Sequence, residues 1–195
     1  MAYDNSLSAR LAFLGIDQEL RATLREVAPL VSEALPAVLD GFYEQVSKFP
    51  ETARFFRNAE HMRHAKEAQL NHWNVILSAE FSDAYVQSVT RIGEAHNRLG
   101  LEPRWYIGGY SFVVKGLLRC IEMQVSAGIF GKRAQEGKAQ MMAAVTTAAM
   151  LDMDFAISVY LEAGKREKHE ALNKLAESFS STVGTIVDTV SSASH

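Results

Sequence analysis

The chain has 195 residues and a mass of 21.6 kDa, enough to bury a hydrophobic core without disulfide staples. A hydrophobic share of 48% and a charged share of 22% exclude extensive disorder. The formal charge of -3 offers no basic field for nucleic acid, and the single cysteine, Cys120, excludes an internal disulfide framework or a Cys-rich zinc site and fits a reducing cytoplasm.

Residues 1–10 carry polar and acidic side chains early and no apolar run, so they do not read as a secretory signal. The most apolar stretch, residues 141–161, is broken by Thr146, Thr147, Asp152, Asp154 and Ser158. Each central Asp would cost roughly 2.5 to 3.5 kcal/mol in a bilayer, so the stretch reads as a buried helix of a soluble protein and not a membrane span. Helical periodicity runs almost from end to end, with no sustained period-two alternation between turn signals, and predicts an all-α fold.

In chain order, Asp17 is a good N-cap for a helix carrying Leu20, Leu24, Val27, Leu30 and Val31. Pro36 is expected to open a second helix with Val38, Leu39, Phe42, Tyr43 and Val46, ending near Phe49-Pro50. A short segment, residues 51–56, leads to a long helix over about residues 59–78. Next, Phe81, Tyr85, Val89, Ile92, His96 and Leu99 recur at spacings of three and four, which places His96 inside an apolar stripe. Gly100 supplies a helix stop, and Pro103 suits the first turn of the following helix, which carries Trp105, Tyr106, Tyr110, Val113, Val114 and Leu117 to about Val125. A turn at Gly128 and Gly131 precedes a helix that starts near Lys132 and continues past Leu161.

From Leu172 onward, Leu172, Leu175, Phe179, Val183, Ile186 and Val190 follow the a/d pattern of a coiled coil, with small polar residues outside it. The pattern still runs at His195, which reads as a chain cut from a longer protein. Residues 1–165 are therefore expected to form one domain, and residues 166–195 a linker and the start of a coiled-coil output helix.

A histidine in an apolar stripe is by default a core histidine whose nitrogens find local partners. Its neighbours open a second reading. Neutral imidazole is a standard ligand of haem iron, and Phe42, Phe55, Phe56, Trp73, Trp105, Tyr106 and Tyr110 on flanking helices can wall the large apolar slot that haem requires.

The run Arg91-Ile92-Gly93-Glu94-Ala95-His96-Asn97-Arg98-Leu99-Gly100-Leu101-Glu102-Pro103-Arg104-Trp105-Tyr106-Ile107-Gly108-Gly109-Tyr110 resembles the proximal-histidine block of globin-coupled sensors. The resemblance also takes in residues 11–16, Phe42-Tyr43 and Phe49-Pro50-Glu51, and spans roughly residues 11–165. It implies a globin fold with an extra N-terminal segment and no D helix. It further implies haem b as cofactor, His96 as the proximal iron ligand, and Tyr43 as a distal tyrosine able to donate a hydrogen bond to dioxygen. Phe42, Phe56, Leu70, Trp105 and Tyr106 fall at pocket positions. On the distal helix Met62, Lys66, Gln69, Trp73 and Ile76 share a face, and the family often has a Thr and a Leu where Gln69 and Lys66 stand here. Gln69 is read as a second distal donor and Lys66 as reaching toward the haem propionates, with plain solvation as the bland alternative for both.

Other candidates are weaker. His61 and His64 lack a third metal ligand, with His72 two turns on, and read as a solvated face. Gly108-Gly109 reads as permitting close helix contact, not phosphate binding. Asp152 and Asp154 lie on different helix faces, which argues against an acid/base dyad.

The resulting expectation is a haem-based oxygen sensor domain without catalysis of its own, in a soluble cytoplasmic transducer. The tail, in particular Leu175-Ala176-Glu177-Ser178-Phe179 and residues 182–193, resembles the first helix of a methyl-accepting chemotaxis signalling domain. This implies an aerotaxis role, with a chemotaxis kinase and adaptor as downstream partners, although related sensors drive a diguanylate cyclase or a histidine kinase. Dioxygen or another diatomic gas is the expected ligand, and a homodimer through the last two globin helices the expected assembly. The rival readings are a haem globin enzyme, a peroxidase or nitric oxide dioxygenase, and a haem-free helical regulator.

Overall fold

The computed structural model describes residues 6–124 and 131–193. It is all-helical among the described residues: α1 (Leu7–Phe13), α2 (Gln18–Ser47), α3 (Pro50–Ala53), α4 (Ala59–Leu77), α5 (Asp83–Leu99), α6 (Pro103–Gln124) and α7 (Gly131–Ala193). The turn expected at Gly128 lies outside the described residues.

The extra N-terminal segment is α1, capped by the Ser6 hydroxyl, which accepts from the Ala9 N–H. It is strapped to α7 by Arg10, whose guanidinium bonds the Asp154 carboxylate, donates to Ser158 Oγ at 3.2 Å and lies 4.3 Å from the Phe155 ring centroid. Asp17 caps α2 as expected, accepting from the Leu20 N–H at 2.9 Å.

Pro36 does not open a second helix. Helix α2 runs unbroken through Pro29 and Pro36 to Ser47. An interior proline costs about 3 kcal/mol, since it removes one backbone hydrogen bond and crowds the preceding turn. Here both prolines face solvent, while Leu24, Val27, Val31, Leu35, Leu39 and Tyr43 form one continuous buried stripe on the opposite side. At about 1.5 to 3 kcal/mol for each large apolar side chain, that stripe outweighs both prolines.

Thr52 tightens the corner after α2, its hydroxyl donating to the carbonyls of Val46 at 2.7 Å and Phe49 at 3.1 Å. Residues 54–58 then lead directly into α4, with no further helix between α3 and α4. The α4–α5 connection holds two non-glycine residues at positive φ, Ala79 at 57° and Phe81 at 44°, a strained backbone that needs outside support. Arg21 of α2 provides it, donating to the carbonyls of Ala79 at 3.1 Å and Glu80 at 2.9 Å with its guanidinium against the Phe81 ring. Gly100, at φ 69°, ends α5 in the left-handed cap that only glycine adopts freely, and the Leu101 N–H returns to the His96 carbonyl at 2.9 Å.

Helix α2 packs on α4, α6 and α7, and α5 packs chiefly on α7, whereas α4 and α5 touch little. Within residues 135–186, α7 is long and apolar enough to cross a membrane by length and composition alone. In the fold Ala144, Val145, Ala148, Ala149 and Leu151 of that stretch face the core. Ala163 is the last buried residue of α7, and the described residues beyond it are exposed.

Candidate functional site

The site is built on the two helices on either side of Gly100. In α5, Tyr85, Val89 and Gly93 are buried, and the stripe opens at His96, which is half-buried, and Leu99, which is exposed. The His96 imidazole meets the Tyr106 ring of α6 edge-on at 4.4 Å between centroids, and its Nδ1 shares a hydrogen bond with the Tyr106 hydroxyl. Nε2 has no hydrogen-bond partner among the described residues. Burial disfavours the imidazolium and lowers the ring's pKa to about 4, so at neutral pH His96 keeps a lone pair. That is the state a metal ion requires of it.

A second group comes from α2 and the approach to α4. Tyr43 is buried, with Phe42 at 5.0 Å and Phe56 at 5.8 Å in edge-on geometry. Its hydroxyl makes no hydrogen bond among the described residues. Burial of the ring raises its pKa, which keeps the proton on the oxygen and leaves a donor to spare. Phe42 joins the two groups: it lies against Gly109 of α6, where a Cβ would sit 3.2 Å from the Phe42 ring, one turn beyond Tyr106. Gly109 thus permits the close helix contact expected of the glycine pair, whereas Gly108 faces open space.

At the rim, Trp105 is half-buried and lies 6.2 Å from Phe49 between ring centroids. Lys66, half-buried on α4, places its ammonium on the Asp40 carboxylate of α2. Gln69 is half-buried, its side chain making no hydrogen bond among the described residues, and Leu70 packs on the core cluster. The structure therefore brings His96 together with Tyr106, and Tyr43 together with Phe42 and Phe56, while Lys66 engages a carboxylate of its own chain.

His61 and His64 are exposed, as expected, but His72 is not part of that solvated face. It is buried on α4, its Nε2 2.8 Å from Oδ1 of Asp152 on α7 and its Nδ1 3.1 Å from Ser88 Oγ on α5. Asp152, 1% exposed, also accepts from the Tyr110 hydroxyl of α6. The clue in the sequence is the carboxylate itself: an Asp in the most apolar segment of a helix has to be paired, because a lone buried charge is prohibitive. Among the described residues no group of three or more His, Cys, Asp or Glu side chains is arranged to hold a metal ion. An iron held by His96 would thus need its remaining ligands from a cofactor such as a porphyrin, which the neutral ring, the free Nε2 and the aromatic walls fit.

Comparison with known proteins identifies the family and the fold. Residues 4–166 match the Protoglobin family profile. The chain is 27% identical over 172 residues to the heme-based aerotactic transducer HemAT of Halobacterium salinarum, a match that takes in 86% of this chain but 35% of that protein's length. The fold superimposes on the globin domain of a Geobacter sulfurreducens globin-coupled sensor with a TM-score of 0.69 at 20% identity, covering 78% of this chain and 96% of that one. It also superimposes on the ferric globin domain of E. coli DosC with a TM-score of 0.58 at 19% identity, covering 80% and 99%. The fold is that of a globin with an added N-terminal helix, and the chain belongs to the protoglobin family.

Proposed function

We propose that this chain is the haem-binding gas-sensor domain of a soluble cytoplasmic signal transducer of the aerotactic kind. The observation that carries the reading is the His96 imidazole: neutral, half-buried, held at Nδ1 by Tyr106 and open at Nε2. Haem b, when bound, would supply a ferrous iron able to take up a diatomic gas reversibly. His96 Nε2 would hold that iron, with Nδ1–H donating to the Tyr106 oxygen, an outer hydrogen bond that fixes the ring plane and strengthens the ligand. Tyr43 would offer its spare hydroxyl to a gas molecule in the pocket, favouring dioxygen over carbon monoxide because dioxygen accumulates more negative charge. Phe42, Phe56, Leu70 and Trp105 would exclude water from the slot. Gln69 has the chemistry to serve as a second donor. Lys66 would exchange Asp40 for the haem propionates.

In this reading the domain binds and senses, without catalysis of its own. Residues 1–165 would form the sensor and residues 166–195 the start of a coiled-coil helix toward an output module. The matched relative's description as an aerotactic transducer supports a chemotaxis kinase and adaptor as that module's partners. The deciding experiment is an absorption spectrum of the chain purified with haem supplied, ferrous, with and without oxygen. His96→Ala should lose stable haem loading or recover it only with added imidazole, and an unchanged ferrous spectrum in that variant would refute the assignment.

A further inference from the structure

One buried carboxylate of helix α7 collects groups from three other helices. Asp152 receives His72 Nε2 of α4 at 2.8 Å and the Tyr110 hydroxyl of α6. Through His72 Nδ1 it reaches Ser88 of α5 at 3.1 Å. A carboxylate can only accept, so the His72 Nε2 and the Tyr110 oxygen both carry protons toward it. Tyr110 in turn lies parallel to Tyr106, 6.3 Å between centroids and 9° between planes, and Tyr106 holds His96. An unbroken series of contacts therefore joins the His96 ring to α7.

One group in this cluster is out of place. Tyr85 of α5 is 1% exposed, and its hydroxyl is buried with no hydrogen-bond partner. Its ring is parallel to His72 at 6.4 Å and edge-on to Phe155 of α7 at 5.9 Å, which fixes it beside the carboxylate. The hydroxyl makes no hydrogen bond of good geometry but stands close enough to Asp152 for that carboxylate, after burial, to raise its pKa, so it stays a donor. A buried donor left unpaired is costly and calls for a reason.

We propose that Asp152 is the positioning residue that couples His96 to α7, with the Tyr110 and Tyr85 hydroxyls as alternative donors to one carboxylate. In one arrangement Tyr110 is held and the Tyr110–Tyr106 stack fixes the His96 ring. In the other, Tyr110 is released, Tyr85 takes its place, and α7 is tied to α5 instead of α6. Two discrete donor choices give the element two states, which is what a relay between a ligand site and an output helix requires.

The test has a part that needs no haem. In a double-mutant cycle on the unfolding of the full apo chain, Tyr110→Phe and Tyr85→Phe should each shift the unfolding equilibrium by less than about threefold, because the other hydroxyl substitutes. Together they should shift it by about tenfold or more, beyond the product of the single effects. The second part rests on the proposed haem ligation by His96. In the ferrous haem-loaded chain, Tyr110→Phe and Asp152→Asn should move the iron–histidine stretching band, which a merely structural pair would leave in place. Additive losses in the cycle, or a stationary band in both variants, would overturn the coupling. A wild-type chain that takes up no haem would overturn the proposed function instead, and the cycle would then decide the exchange of donors by itself.

Discussion

Gly93 of α5 lies so close to Val159 of α7 that a Cβ on the glycine would stand 2.9 Å from Val159 Cβ and 3.2 Å from the Ala156 carbonyl oxygen. This contact is one turn before His96 and one turn before Ala163, where α7 leaves the core. Alanine would gain about 1 kcal/mol of helix propensity at position 93. Val159 is β-branched and stiff, however, and the Ala156 oxygen is backbone, so neither yields cheaply. Gly93→Ala should therefore destabilise the fold by about 1 to 2 kcal/mol net, read as a lower urea midpoint. Val159→Ala in the same chain should restore only a small part of the loss, because its Cβ stays 2.9 Å from the added methyl, and an unchanged midpoint for Gly93→Ala would mean that the two helices are free to separate.

For Tyr43, a hydroxyl on a buried ring with no protein partner among the described residues sets the expectation. Losing one hydrogen bond worth roughly 1.4 kcal/mol corresponds to about tenfold faster release. Tyr43→Phe should thus speed oxygen dissociation by about that factor or more and affect carbon monoxide less. Flash photolysis of the haem-loaded chain measures both, and equal effects on the two gases would mean that Tyr43 acts through pocket shape alone. Adding Gln69→Ala to Tyr43→Phe shows whether a second donor compensates.

The difference between what the sequence reveals and what it hides is physical. His96 and Tyr106 were legible because the residues that set them in place are consecutive: a stripe, the Gly100 cap and Pro103 at the next helix start lie within one short run. Helix α2 is hidden in the sequence because Pro36 is a strong local signal, while the stripe from Leu24 to Tyr43 that overrides it gains its energy from α4, α6 and α7. The Asp152 cluster was invisible for a related reason. Its members stand on four helices, with His72 and Asp152 eighty residues apart, and their meaning appears only when both are buried together. Periodicity did place Asp152 and Asp154 on different faces, and the structure shows why both are kept: Asp152 faces the core, and Asp154 takes Arg10 from α1.

Acid sensitivity follows from His96. Its pKa falls from 6.5 in the unfolded chain to about 4 in the folded one. Between those values the unfolded state binds a proton that the folded state refuses, so stability falls as the pH drops from about 6.5 toward 4 and levels off below. For the apo chain the loss at pH 5 should be about 1 to 2 kcal/mol, reduced in practice because the ring is only half-buried. Urea midpoints at pH 7 and pH 5 measure it, and His96→Ala should be less acid-sensitive than the wild type. Equal acid losses in the two chains would place the titrating group elsewhere.

The outer faces of α6 and α7 carry the last expectation, a homodimer. Between these helices runs an open groove of about 560 Å³ lined by Ile107, Val114, Leu118, Met142, Met150 and Met153 among others. Tyr110, which donates to Asp152, also lines it. Methionines adapt to irregular partner surfaces, and exposed apolar faces of this kind mark association sites. Farther along α7, Leu161, Leu172, Leu175, Phe179, Val183 and Ile186 are all exposed, at spacings that a partner helix in register would cover. One two-fold axis along α7 satisfies both demands, since the groove and the stripe lie on the same continuous helix. Sedimentation of the haem-loaded chain at micromolar concentration should give a dimer. Met150→Lys should weaken it through the groove, and Leu175→Lys with Phe179→Lys through the stripe. If both faces act in one interface, all three substitutions together should give a monomer whose haem spectrum is unchanged. A wild-type monomer with and without oxygen would rule the arrangement out.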